Sequence, residues 1–153
     1  MGTIHPLPPN EIEALLHTAV VGRIACCGHG EDELGRPYLV PLAYGYDGEA
    51  VYAHSAVGRK IRLMRANPLV TFEVDRAEAP DRWRSVIADG IYEELTDSAA
   101  RAYALSLIYP APTPRPALPP ETIVYRLRLA AKSGRFETPD EAIFAAPAET
   151  AER

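Results

Sequence analysis

The sequence predicts a mainly β domain: six antiparallel strands forming a small closed or partly closed barrel, with helices at its flanks. Three observations carry this. The apolar runs are short and rich in β-branched residues, they follow one another as hairpins with Gly, Pro and Asp at the joints, and helices do not alternate regularly with strands as βαβ units would require. At 153 residues the chain reads most simply as one domain, long enough to bury on the order of two thirds of its unfolded surface without a disulfide or a metal.

Asn10 followed by Glu13 fits a capping box, and Ile12, Leu15 and Leu16 place a helix over about Glu11 to Thr18. Val20 to Cys27 reads as the first strand, stopping at Gly28-His29-Gly30. Gly28, Gly30 and Gly35 lack the spacing and the following helix of a dinucleotide loop. A second strand runs from Pro37 to Tyr46, and Asp47-Gly48 is the two-residue turn of a tight hairpin into Ala50 to His54. Pro41 removes one backbone donor from that second strand, so one side of it is unpaired there or the strand is bulged.

A short basic helix follows and ends at Asn67-Pro68. Leu69 to Asp75 and Arg82 to Leu95 are two further strands, the longer one needing a bend at Gly90. Ser98 to Tyr109 reads as a helix capped by Thr96 or Asp97, and the prolines from Pro110 to Pro120 form a stiff connector. The last strand, Thr122 to Leu129, alternates Ile123, Tyr125, Leu127 and Leu129 against Val124, Arg126 and Arg128, so the first set should be buried and the second polar. The domain is expected to span 1–136, with 137–153 as a tail, partly ordered or docked on a neighbouring surface through Ile143 and Phe144.

Composition excludes several classes. With 47% hydrophobic residues and 24% charged ones the chain is an ordinary globular protein, and no apolar run approaches the ~20 residues that span a bilayer. Met1-Gly2-Thr3-Ile4-His5-Pro6 lacks the cationic start and apolar core of a secretory signal, so a cytoplasmic location is expected. A net charge of −5 argues against nucleic-acid binding. Cys26 and Cys27 are strand neighbours facing opposite ways and make no disulfide; with His29 they lack a second ligand pair, and no metal site is expected.

Against the acidic balance, Arg59, Lys60, Arg62 and Arg65 crowd into seven residues without an acid, directly after a strand that ends in Ser55 and Gly58. A helix N-terminus offers unpaired N–H groups and the positive end of its dipole, so a phosphate at Gly58 to Lys60 would meet amides and two side-chain cations. The competing reading is a solvated helix face whose cations pair with nearby acids.

The ordered set Pro37-Tyr38-Leu39-Val40-Pro41-Leu42-Ala43-Tyr44, Asp47-Gly48, Tyr52-Ala53-His54-Ser55, Gly58-Arg59-Lys60, Asn67 to Val74, and Trp83-Arg84-Ser85-Val86 with Gly90 resembles the pyridoxamine 5′-phosphate oxidase-like split-barrel family, in particular its small nitroimidazole-resistance-type flavoproteins. The resemblance covers about Glu11 to Leu95 and, more loosely, Tyr125 to Gly134. It implies a homodimer of six-stranded split β-barrels with FMN at the subunit interface. It also implies that Ser55, Gly58, Arg59 and Lys60 hold the phosphate, that the backbone of Val40, Pro41, Leu42 and Ala43 runs beside the flavin ring, and that Trp83 and Ser85 approach from the partner subunit. The tail would then dock on the dimer.

The expected function is that of an FMN-dependent oxidoreductase acting on a small organic substrate, with the protein supplying position and electrostatics. The alternative is a flavin- or haem-binding storage or sensor module without a dedicated substrate. His54, beside the phosphate loop, is the candidate catalytic residue, and with Tyr44 and Trp83 it would line the substrate pocket. The nearly neutral Pro37 to Tyr44 strand and the ending Gly134-Arg135-Phe136-Glu137-Thr138-Pro139 depart from the vitamin oxidases of the family, which argues against vitamin oxidation.

Overall fold

A computed structural model of the chain describes residues 2–28 and 35–140. In chain order its elements are β1 (Thr3–Pro6), α1 (Pro9–Thr18), β2 (Val21–Cys27), β3 (Pro37–Ala43), β4 (Gly45–Tyr46), β5 (Ala50–Ser55), α2 (Arg59–Ala66), β6 (Leu69–Ala79), β7 (Arg82–Glu94), α3 (Ser98–Ile108) and β8 (Ile123–Thr138). The strands form one antiparallel sheet in the order β3-β2-β6-β7-β8-β5-β4, with β1 added beside the far end of β8. Eight strands stand where six are expected, because the N-terminus contributes β1 and the second predicted strand divides into β3 and β4. The two ends of the sheet, β3 and β4, do not pair, so the barrel is open along that seam.

The division falls at Tyr44, whose hydroxyl donates to Leu16 O at 2.6 Å and whose ring meets Phe72 edge-on at 5.0 Å. The next residue has to be glycine: a Cβ on Gly45 would lie 2.4 Å from the Leu107 carbonyl carbon of α3. The hairpin that follows turns one residue later than its sequence suggests. Asp47 N–H donates to Ala50 O at 3.4 Å, Gly48 takes φ +98°, and the Asp47 carboxylate accepts the Glu49 and Ala50 amides at 2.9 and 2.8 Å.

The main core lies inside the curved sheet, with Leu16, Ile24, Val51, Ile61, Met64, Phe72, Val74, Val86, Tyr125 and Leu127 all fully buried. Helix α1 closes it with Ile12, Leu15 and Leu16, and α2 with Ile61, Leu63 and Met64. Each such side chain contributes roughly 1.5–3 kcal/mol on leaving water. A second cluster joins Ala104 of α3 to Ala50, Tyr52, Leu95 and Val124. Val124 is therefore buried rather than solvent-facing: both faces of β8 are covered there, one by the barrel core and one by α3.

Two further expectations are corrected. The capping box does not form: the α1 N-cap is Pro8, and Asn10 lies inside the first turn. The bulge that interrupts the ladder is carried by β8, and Gly90 itself stays in register with Val70 and Leu129. Between the Ile87–Ser133 and Asp89–Ala130 pairs β8 carries one residue more than β7, and Ala131 takes φ +48°. Strand β8 then continues well past Leu129, to Thr138, while Ile143 and Phe144 of the expected tail lie outside the described residues, as does His29. No helix among the described residues is long and apolar enough to cross a membrane.

Glu13, freed from capping, takes part in a cross-link at the bulge. Lys132 Nζ donates to Glu13 Oε1 at 2.7 Å, to the Tyr46 hydroxyl at 2.6 Å and to Gly48 O at 3.0 Å, and the Tyr46 hydroxyl donates to Glu13 Oε2 at 2.7 Å. Burial works against the Glu13 carboxylate, but the bonds from Lys132 and Tyr46 together hold its pKa below the ordinary 4.5. Lys132→Met is expected to destabilise the protein by about 1–2 kcal/mol at neutral pH. Since the Glu13 pKa is lowered on folding, this difference is fully present above pH 4.5 and shrinks as the pH falls below it. Urea denaturation of both proteins across that range measures it; a pH-independent difference would assign the effect to packing of the lysine stem.

Candidate cofactor-binding site

The segment with the densest basic charge links β5 to β6. The first four residues of β5 are buried, while His54 and Ser55 are partly exposed as the strand leaves the sheet. Ser55 donates its hydroxyl hydrogen to Ala56 O at 2.7 Å and would have to rotate to donate to an anion. Gly58 is the N-cap of α2 in an ordinary extended conformation, and a Cβ there would meet nothing within 4 Å, so the space ahead of the helix is open. The first intrahelical bond is Arg62 N–H to Gly58 O at 3.1 Å. No side-chain cap and no acidic residue occupy the first turn, so the amides of Lys60 and Ile61 point out of the helix end.

The cations of α2 have different surroundings. Arg65 is paired with Glu94, its Nη2 donating to Oε2 at 3.3 Å, as a solvated helix face would have it. Lys60 is half-buried, and no described carboxylate forms an ion pair with it. Burial pushes its pKa down, partly offset by the nearby Cys26 thiol. A partly desolvated ammonium at an uncapped helix N-terminus fits an anion that is brought in from outside the chain.

Arg59 joins this cradle to the open seam. Its guanidinium lies 4.5 Å from the centre of the Tyr38 ring, a cation–π contact between α2 and β3. Tyr38, Val40 and Leu42 pair with Cys26, Ile24 and Gly22 in the inward row, while Pro37, Leu39, Pro41 and Ala43 form the exposed row. The Tyr44 amide donates to Val20 O, extending the even-numbered ladder. By the alternation of an antiparallel pair, the backbone groups of Val40 and Leu42 are therefore spent on β2, and those of Leu39, Pro41 and Ala43 face the open edge. Pro41 offers only a carbonyl there, and Ala43 an amide and a carbonyl.

His54 is held from the other side. Its Nε2 is 2.7 Å from the Tyr109 hydroxyl and the rings stack at 5.8 Å. Burial first, then the Lys60 charge, hold its pKa below the ordinary value. His17 packs its ring on Tyr46 at 4.7 Å. With its Nε2 on Tyr109, His54 is not presented as a free axial ligand for haem.

The chain thus brings His54, Ser55, Gly58, Arg59 and Lys60 onto one connection, which touches β3 at Tyr38 through Arg59, while Val40, Pro41, Leu42 and Ala43 follow Tyr38 along that strand. It does not bring Trp83 and Ser85 there. Leu69, at the end of α2, pairs with Ile91, and Trp83 is eight residues further along β7, roughly 26 Å at strand rise. The Trp83 indole N–H donates to Glu137 Oε2 at 2.6 Å, and Ser85 pairs with Asp75 and Arg135. Tyr38 and Tyr109 join the site without having been singled out by sequence. Tyr38 shares its strand parity with Val40, which is a legible signal; nothing in the sequence links Tyr109 to His54.

On the outer face of the sheet lies a groove of 520 Å³ lined by Ala25, Cys27, Pro37, Leu69, Thr71 and Ile91. Around it Val21, Leu39, Leu69, Ile87 and Ile91 are 42–65% exposed, and their register puts them all on that face.

Comparison with known proteins agrees with the fold. The family model described as pyridoxamine 5′-phosphate oxidase matches residues 8–136. An uncharacterised protein of Rhizobium meliloti is 31% identical over 106 residues, 67% of each chain. Among solved structures, an FAD-binding protein from Mesorhizobium loti is 35% identical, with a TM-score of 0.72 over 88% of this chain and 99% of that one. A candidate 5-nitroimidazole antibiotic resistance protein from Bacteroides thetaiotaomicron shares the fold at 18% identity, with a TM-score of 0.75 over 89% of each chain. With the open barrel and the basic helix end in place, the match over 8–136 assigns the chain to the pyridoxamine 5′-phosphate oxidase family.

Proposed function

We propose that the protein is an FMN-dependent oxidoreductase acting on a small organic substrate as a homodimer. The observation that carries this is Lys60, a half-buried cation that forms no ion pair among the described residues, set against the uncapped first turn of α2. The α2 amides, Lys60 and Arg59 bind the cofactor phosphate, and Ser55 adds a hydroxyl after rotation. The open edge of β3 borders the ring, with the Ala43 amide and the Pro41 carbonyl turned toward it. FMN supplies hydride or electron transfer when bound, so the chain needs no nucleophile or carboxylate pair of its own. The FAD-binding relative from Mesorhizobium loti supports the choice of a flavin.

The apolar outer face pairs with its copy in a second subunit. Burying Leu39, Leu69 and Ile91 there excludes water from the cleft between subunits and lets Trp83 and Ser85 of one chain reach the site of the other. His54 lines the entrance from its own chain; Tyr44, expected there from the sequence, is instead buried in the core with its hydroxyl on Leu16 O.

Replacing both Arg59 and Lys60 by Ala is expected to weaken FMN binding by about 100-fold or more, at roughly 1.5–3 kcal/mol for each charge-assisted contact. Riboflavin affinity and the circular dichroism should be unchanged. Quenching of flavin emission on titration reads the affinities, and full FMN affinity in the double variant refutes the site. Mass analysis of the flavin released on denaturation distinguishes FMN from FAD.

Leu69→Asp is expected to convert the protein from dimer to monomer in sedimentation velocity and to lower flavin retention with it. Wild-type protein that sediments as a monomer at micromolar concentration would withdraw the dimer, and with it the roles of Trp83 and Ser85.

A further inference from the structure

His54 is the penultimate residue of β5, and Tyr109, which reaches its Nε2, is the C-cap of α3, with its own N–H donating to Leu105 O at 2.9 Å. The elements around His54 carry few other polar groups. Strand β8 sets Val124 opposite His54 and Ile123 opposite Ser55, both apolar, and Tyr125 beside them packs its ring on Tyr92. Strand β4 pairs with β5 at Val51 and Tyr52, away from His54. Among the described residues, Lys60 of α2 is the one charged group acting on His54 and Tyr109 the one titratable group bonded to it.

His54 and Lys60 are both half-buried, and among the described residues no carboxylate pairs with either. Burial and the Lys60 charge disfavour the imidazolium, so the ring is neutral near pH 7. Phenol is the stronger donor of the pair. In the neutral state the Tyr109 O–H donates to Nε2, and the ring hydrogen sits on Nδ1. A dianion beside Lys60 would cancel its repulsion and add an attraction, and the balance at His54 would change sign.

We propose that His54 and Tyr109 form a proton-coupled latch on the phosphate cradle: as a phosphate dianion settles between Lys60 and the first turn of α2, one proton passes from solvent to His54 Nε2 and the hydrogen bond to Tyr109 reverses. This rests on the reading of the cradle as a phosphate site. Nε2 gains the proton and becomes the donor, the Tyr109 oxygen accepts, and the hydroxyl hydrogen turns to another acceptor; no electron moves. Tyr109 is a positioning residue that acts through His54. Because it caps α3, the end of that helix is fastened to the state of the cradle.

The test follows the His54 ring protons by NMR in the full chain, assigned with His54→Gln, through pH titrations without ligand, with FMN and with inorganic phosphate. FMN and inorganic phosphate are each expected to raise the His54 midpoint by about one unit, a tenfold gain in proton affinity, as an adjacent opposite charge does. Riboflavin, lacking the phosphate, should leave it in place. Tyr109→Phe keeps the ring stack and removes the oxygen that accepts from the imidazolium, a charge-assisted bond stronger than its neutral counterpart, so the ligand-free midpoint should fall; a merely structural contact would leave it unmoved. A midpoint unchanged by FMN whose emission is quenched overturns the latch and leaves the flavin reading standing. FMN that stays unquenched removes the flavin reading, and an unmoved midpoint in inorganic phosphate then overturns the latch as well.

Discussion

The shape of this molecule depends on the place where β8 changes course. One strand of 16 residues pairs with β5, β7 and β1 in turn, and it can do so because an extra residue at Ala131 and Lys132 redirects it. An unsupported bulge would be a soft point. Lys132 braces it by reaching Glu13 of α1, Tyr46 of β4 and the Gly48 carbonyl, so the helix that closes the core, the end of the sheet and the bend are fixed by one ammonium.

The cradle illustrates how burial decides the meaning of a charge. Arg65 and Lys60 lie five residues apart on one short helix. Arg65 is exposed and has Glu94; its contribution is that of a surface pair, worth little either way. Lys60 lies where water is partly excluded, and no carboxylate among the described residues forms an ion pair with it. Neighbouring His54 is disfavoured as a cation by the same burial. An anion placed beside the two would relieve both at once, which an exposed, already paired cation such as Arg65 would not need.

Much of this was legible in the sequence because it rests on local patterns. The helix after Gly58 and its Asn67-Pro68 stop, the Asp97 cap of α3 and the long antiparallel strands follow from turn residues and periodicity. The cradle residues are consecutive, so their proximity needed no tertiary knowledge. What escaped was set at a distance. Glu13 reads as a capping residue until Lys132, far along the chain, claims it; Val124 reads as solvent-facing until α3 covers it; the pairing of Tyr109 with His54 leaves no trace in spacing. The break at Tyr44 has a local mark in Gly45, but the reason for it is the backbone of Leu107.

The unpaired edge of β3 has a consequence for how this protein survives at high concentration. An open strand edge is a template on which other chains can stack, and proteins usually cover or charge it. Here the residues facing outward along the edge include Pro37 and Pro41, which have no N–H to offer, so its donors fall to Leu39 and Ala43. A peptide strand finds too few partners to grow there, whereas a small planar molecule needing one or two contacts is well served. The same two prolines thus keep the seam accessible to a ligand and closed to fibril growth.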